Sequence, residues 1–168
     1  MQHPVKAILA LLALLLGNAA AAQDVVSGAA SVVNADILGF EGGQRVILWG
    51  VDAPERTQPC LINGTEWSCY ELAGRQLATL ISGGEVTCTL TGEPDPFRRR
   101  FGICVAGGVD VNAEMVRSGM ALAYVEQTDD YAAAEAEAKA AQVGLWQPGS
   151  QFLEPWIHRE VESDNSVR

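Results

Sequence analysis

Three carboxylates stand where chemistry could be done. Asp52 and Glu55 lie three residues apart in Leu48-Trp49-Gly50-Val51-Asp52-Ala53-Pro54-Glu55, a hydrophobic run that ends in a loop, and Asp36 lies on the hairpin before it. Acids converging at one mouth repel each other unless a cation joins them. Calcium accepts such a place, taking oxygens from carboxylates, backbone carbonyls and water. Loop acids in an acidic chain are also commonly no more than solvated, so spacing alone leaves both readings open. The opposite charge is gathered in Arg98-Arg99-Arg100, beside the turn Gly92–Pro96. That triplet suits either phosphate attraction or a turn kept soluble by charge. His3 and His158 stand far apart, so no His-based acid–base or metal set exists, and no Ser-His-Asp, P-loop or Rossmann pattern is present.

The elements that must position these groups read as short strands and helices. Val25–Val33, Asp36–Phe40 and Arg45–Trp49 are rich in Val, Ile and aromatic residues and are bounded by Gly, Asn and Asp, which predicts strands. The loop Asp52–Thr65 carries Pro54 and Pro59. Apolar spacing near 3.6 predicts a helix over Glu66–Ile81, stopped by Gly83-Gly84. Two more strands follow around the turn Gly92–Pro96. Asn112 is the expected N-cap of a helix over Ala113–Ser118, and Asp129–Gln142 is the third helix. Five strands and three helices (α+β) suit a small closed β-barrel, with the five-stranded OB-fold the best match. Trp49, Trp67, Tyr124 and Trp146 are expected in the core.

Composition bounds the class and the compartment. The 168 residues fit one domain, and 48% hydrophobic against 19% charged residues excludes wholesale disorder. Net charge is -10, which argues against a passive nucleic-acid coat, because phosphate backbones are bound largely by basic groups. Residues 1–22 carry Lys6, an apolar core and Asn18-Ala19-Ala20-Ala21-Ala22, the three parts of a secretory signal, with cleavage expected after Ala22. Residues 23–148 would then form the domain and 149–168 a polar, partly mobile tail. The mature product is expected to be a monomer, periplasmic or secreted, with no membrane attachment.

Export gives the four cysteines meaning. If the runs around Cys88 and Cys104 form a hairpin centred near Pro96, these two lie opposite each other at a separation a bridge can span. Cys60 would then pair with Cys69. A zinc site is the competing reading, disfavoured because only part of the set is closely spaced and exported thiols oxidise.

Leu48–Glu55, Gln58–Cys60 with Trp67-Ser68-Cys69, Asp95–Arg99, Val109–Asn112 and Gly144-Leu145-Trp146 occur in an order that resembles the thermonuclease family, the staphylococcal nuclease-like domains. The resemblance runs from about Val26 to Trp146. It implies an OB-fold and a calcium-dependent phosphodiesterase acting on DNA or RNA. It also implies roles: Asp36 and Asp52 as calcium carboxylates, the Ala53 backbone carbonyl as a further ligand, Glu55 serving the attacking water, and Arg99 holding phosphate. The family's Asp-Gly-Asp-Thr turn is rewritten here as Asn34-Ala35-Asp36-Ile37, and its second phosphate-binding arginine is replaced by Ile47. Arg45 shares a sheet face with Ile47 by strand alternation, displaced along the strand by about 6–7 Å. Two functions follow as expectations. One is a weak or specialised exported nuclease. The other is a catalytically impaired domain kept as an interaction module.

Overall fold

The computed structural model describes residues 24–166; the segment expected to be a secretory signal, residues 1–22, lies outside the described residues. Chain order is β1 (Val25–Asn34), β2 (Ile37–Phe40), β3 (Arg45–Leu48), β4 (Val51–Asp52), β5 (Cys60–Ile62), β6 (Thr65–Trp67), α1 (Cys69–Ile81), β7 (Glu85–Thr91), β8 (Arg100–Ala106), β9 (Val109–Asp110), α2 (Val111–Arg117), β10 (Leu122–Ala123), α3 (Ala132–Ala141), β11 (Ser150–Gln151) and α4 (Pro155–Ser166). Strands β3-β2-β1-β7-β8 run in that spatial order, and parallel pairing of β3 with β8 closes them into a five-stranded barrel. The OB-type α+β architecture is therefore present, with a fourth helix beyond the three expected from the sequence.

β1 is long enough to serve two partners. Its first half pairs with β7 and its second with β2, and the register of the second half shifts between Val32 and Asn34. One buried core joins Leu38, Val46, Leu48 and Val86 of the barrel strands to Val111, Met115 and Val116 of α2 and to Ala73 and Leu77 of α1. Gly102 is required there: a Cβ at this position would meet Val46 Cγ1 at 2.8 Å, closer than such atoms pack.

Both disulfides form as the spacing indicated, Cys60–Cys69 and Cys88–Cys104. Cys88 and Cys104 are directly opposite in the β7–β8 ladder. Cys60–Cys69 belongs to a second buried cluster with Leu122 and Leu145, onto which Trp67, Trp146, Phe152 and Trp156 pack.

Two local expectations are corrected. The helix expected from Glu66 begins at Cys69, because Thr65–Trp67 pair with β5 as β6. Asp110, not Asn112, caps α2, its carboxylate accepting from Ala113 N at 2.9 Å. Asn112 is instead fully buried: its Oδ1 accepts from Cys104 N, and its Nδ2 donates to the Trp49 and Gly102 carbonyls. That cross-link fixes the end of β3, and hence the start of the acid-bearing loop, against β8. Among the described residues no helix is long and apolar enough to cross a membrane.

Candidate active site

Beyond β3 the chain turns at Gly50, whose φ of +69° places it in the left-handed region that glycine tolerates best. Gln127 Oε1 accepts from Gly50 N at 2.8 Å, and Tyr124 N donates to the Gly50 carbonyl. β4 follows, paired with β10 so that Asp52 sits opposite Leu122. Asp52 is 4% exposed. Gln58 clamps the next turn from both sides: its side-chain oxygen accepts from Glu55 N at 3.2 Å and its backbone N donates to the Glu55 carbonyl. Asp36 closes the group from the β1–β2 turn, its carbonyl bonded to Leu48 N.

These acids line a cleft of about 320 Å³ together with Ile47, Arg99, Tyr124 and a residue no motif had marked, Arg159 of α4. Arg159 reaches into the carboxylates. Its Nη1 donates to Asp52 Oδ1 at 2.9 Å and to Glu55 Oε1 at 2.8 Å, and its Nη2 donates to Asp52 Oδ2 at 2.6 Å. Arg99 faces the same cleft, held by Asp95: Arg99 Nε donates to Asp95 Oδ2 at 2.6 Å, and Asp95 Oδ1 accepts from the backbone of Phe97 and Arg99.

The charges follow from this packing. Burial, then the neighbouring Asp52 and Glu55 charges, push the Asp36 carboxyl up to about 7. Burial also pushes Asp52 upward, against the pull of its bonds from Arg159, whose own pKa rises because of them. Burial works against the charge on Asp95 too, but the Arg99 bonds win and hold it below the usual carboxylate range.

A pH dependence follows for Asp36. Its proton is kept in the fold to about 7 but is lost near 3.8 when its surroundings are removed. The native state then binds more protons between those values, so stability falls as pH rises through that window. The urea midpoint of the wild type is expected to drop relative to that of Asp36→Asn between about pH 4.5 and about pH 7.5; parallel curves would contradict this.

The family model described as "Staphylococcal nuclease homologue" matches residues 45–148. The chain belongs to this family. The chain resembles the "Succinoglycan biosynthesis protein ExoI" of Rhizobium meliloti (strain 1021), with 36% identity over 142 residues, covering 81% of this chain and 72% of that protein. It also resembles an "Uncharacterized endonuclease" of Haemophilus influenzae (strain ATCC 51907 / DSM 11121 / KW20 / Rd), with 28% identity over 123 residues. That match covers 72% of this chain and 63% of the endonuclease, so the chain spans less than two thirds of the latter's length.

Members of the staphylococcal nuclease homologue family are generally calcium-dependent. Here the hard oxygen donors are of the right type, but their arrangement is not that of an ion cage. Arg159 holds both oxygens of Asp52 and one of Glu55, and Ala53 is buried without lining the cleft. Among the described residues no group of three or more His, Cys, Asp or Glu side chains is placed to hold a metal ion. As they stand, these residues do not fit the ion, and the charge balance at the acids is made by a guanidinium.

The fold thus brings together Asp36, Asp52, Glu55 and Arg99. Arg45 opens instead on a neighbouring groove with Phe97, Arg98, Arg99 and Arg100, so Arg99 borders both. Phe97 is 79% exposed there. No sequence motif marks Arg159 or the contacts that support it. His158 is buried with its ring Nε2 3.2 Å from Thr57 Oγ1, Trp156 packs on Tyr124, and Gln58 Nε2 donates to the Leu153 carbonyl at 2.8 Å. The signal was Pro155, a favoured first residue of a helix, which puts His158 and Arg159 on adjacent positions one turn later.

Proposed function

We propose that this cleft hydrolyses phosphodiester bonds of DNA or RNA. The observation that carries the reading is the meeting of a clamped carboxylate, Glu55, with two guanidinium groups in one cleft. A nucleophilic water needs an acceptor for its proton as its oxygen bonds to phosphorus, and Glu55 is the acid that the Gln58 turn orients there. Arg99 supplies fixed positive charge where negative charge grows as the bond to the leaving oxygen breaks. The groove of Arg45, Arg98 and Arg100, with the exposed ring of Phe97, gives a polyanion a favourable approach on an otherwise acidic body. The endonuclease relative supports the same class of substrate.

We also propose export after cleavage at Ala22, to which the two disulfides lend support, since they persist in oxidising compartments. A second reading, a module that binds without cutting, is favoured by Ile47 at the family's arginine position and by the relative named for succinoglycan biosynthesis.

The test incubates purified residues 23–168 with single-stranded DNA, duplex DNA and RNA, with calcium and then with chelator. Cleavage in any arm is the expected result, and the chelator arm reports whether a divalent ion takes part. No cleavage at high protein concentration would leave the binding module.

A further inference from the structure

We propose that Arg159 is a phosphate-gripping residue of this cleft, delivered by the C-terminal helix in place of the guanidinium that position 47 lacks. The proposal rests on the phosphodiester reading above. Ile47 lies between Ile37 of β2 and Phe101 of β8 and lines the cleft, so strand β3 brings no charge to it. Arg159 brings one to the same cleft from a different element. For a developing negative charge, what counts is where the N–H groups end, not which element carries them.

The donor inventory of Arg159 supports this. A guanidinium has five N–H donors arranged in forks. The edge formed by Nη1 and Nη2 is spent on Asp52, and the other Nη1 proton on Glu55. The second fork, made by Nε and the remaining Nη2 proton, has no acceptor among the described residues. The side chain is 46% exposed, while its Asp52 partner is 6% exposed. One edge is therefore locked on a buried acid, while the other is unspent on a half-exposed side chain that lines the cleft. Arg99 repeats the pattern, with Nε and Nη2 on Asp95 and no acceptor for its Nη1 group among the described residues. Each guanidinium is oriented in advance by its own carboxylate, so little side-chain freedom remains to be lost on gripping a phosphate.

Four variants of the full chain test the proposal: Arg159→Gln, Arg159→Lys, Ile47→Arg, and Ile47→Arg combined with Arg159→Gln. Two readouts are taken, the affinity for a phosphorothioate-linked single-stranded oligonucleotide and the cleavage rate of its ordinary counterpart. Arg159→Gln is expected to weaken binding about 10-fold or more and to slow cleavage about 10²–10³-fold. Lysine should recover little, since a point charge lacks the fork. If the Gln variant does not fold, Arg159→Lys, which keeps a charge beside Asp52, carries the comparison. Adding Ile47→Arg to Arg159→Gln should restore most of both losses. A purely structural role for Arg159 would show no such rescue, because an arginine on β3 cannot seat α4. A double variant no better than Arg159→Gln, or faster cleavage on losing Arg159, would overturn the proposal. The two readings fail separately. Binding that follows this pattern without any wild-type cleavage sinks the nuclease and keeps the grip; cleavage and binding indifferent to Arg159 do the reverse.

Discussion

Replacing Glu55 by Gln is expected to lower turnover about 10²–10⁴-fold, the range that general bases contribute, with little change in strand affinity. The substitution is nearly isosteric and its consequences are separable. Glu55 is fixed through its backbone by Gln58, and a Gln amide can still offer one oxygen to Arg159 Nη1, which now bonds Oε1 at 2.8 Å. The seat of α4 on Asp52 is untouched, since two of the three Arg159 bonds go there. What is lost is a basic oxygen facing the cleft. Single-turnover rates and oligonucleotide affinity measured on the same preparations check it. Unchanged turnover would remove Glu55 from the chemistry, and a collapse in affinity would mean that it holds the site together.

The second large effect concerns the two disulfides, which should behave differently. Removing either, as Cys60→Ala/Cys69→Ala or Cys88→Ala/Cys104→Ala, is expected to cost about 2–4 kcal/mol and to lower the melting temperature on the order of 10 °C. Only the first should also impair the site. Cys60 lies in β5, which pairs with β11, the strand that leads through Leu153 into α4. Its bridge joins that ladder to the first residue of α1, and Cys69 Sγ lies near the carbonyl of Gln58, the clamp of the acid loop. Cys88–Cys104 spans two neighbouring barrel strands whose ladder is already complete. Calorimetry combined with oligonucleotide affinity at a temperature where both variants are folded distinguishes them. Equal affinity losses would mean that the tail's seat does not depend on the Cys60 bridge.

The sequence made the barrel legible for a physical reason. Its strands are locally patterned, and glycine and asparagine turns separate them, so period and punctuation carry the architecture. The carboxylates were legible too, because Leu48–Glu55 is continuous in the chain. Asn112 misled because a good capping residue lay two positions after a better-placed one, Asp110, and was needed to satisfy buried backbone groups at Trp49, Gly102 and Cys104. Arg159 was hidden by distance. It stands 107 residues from Asp52, in a polar segment whose charged residues give no periodic apolar stripe. Its position follows from packing by Trp156 and His158, contacts that neither composition nor spacing encodes locally.

The charge arrangement unites these points. Strand β3 brings Ile47 and no cation to this cleft, three acids meet at its mouth, and the C-terminal helix brings an arginine that faces them. A buried carboxylate without a partner is costly, and removing one member of such a pair leaves the other stranded. Asp52 and Arg159 are therefore coupled, and a change at either is felt by Glu55 through the shared Nη1 group.

Arginine-selective nuclear magnetic resonance of the Arg159 guanidinium tests that coupling most directly. In the wild type its Nη protons are predicted to be resolved and slowed in exchange by their bonds to Asp52 and Glu55, and its Nε resonance to shift when a phosphorothioate strand is added. A freely rotating, solvent-averaged guanidinium that ignores the strand would contradict the account.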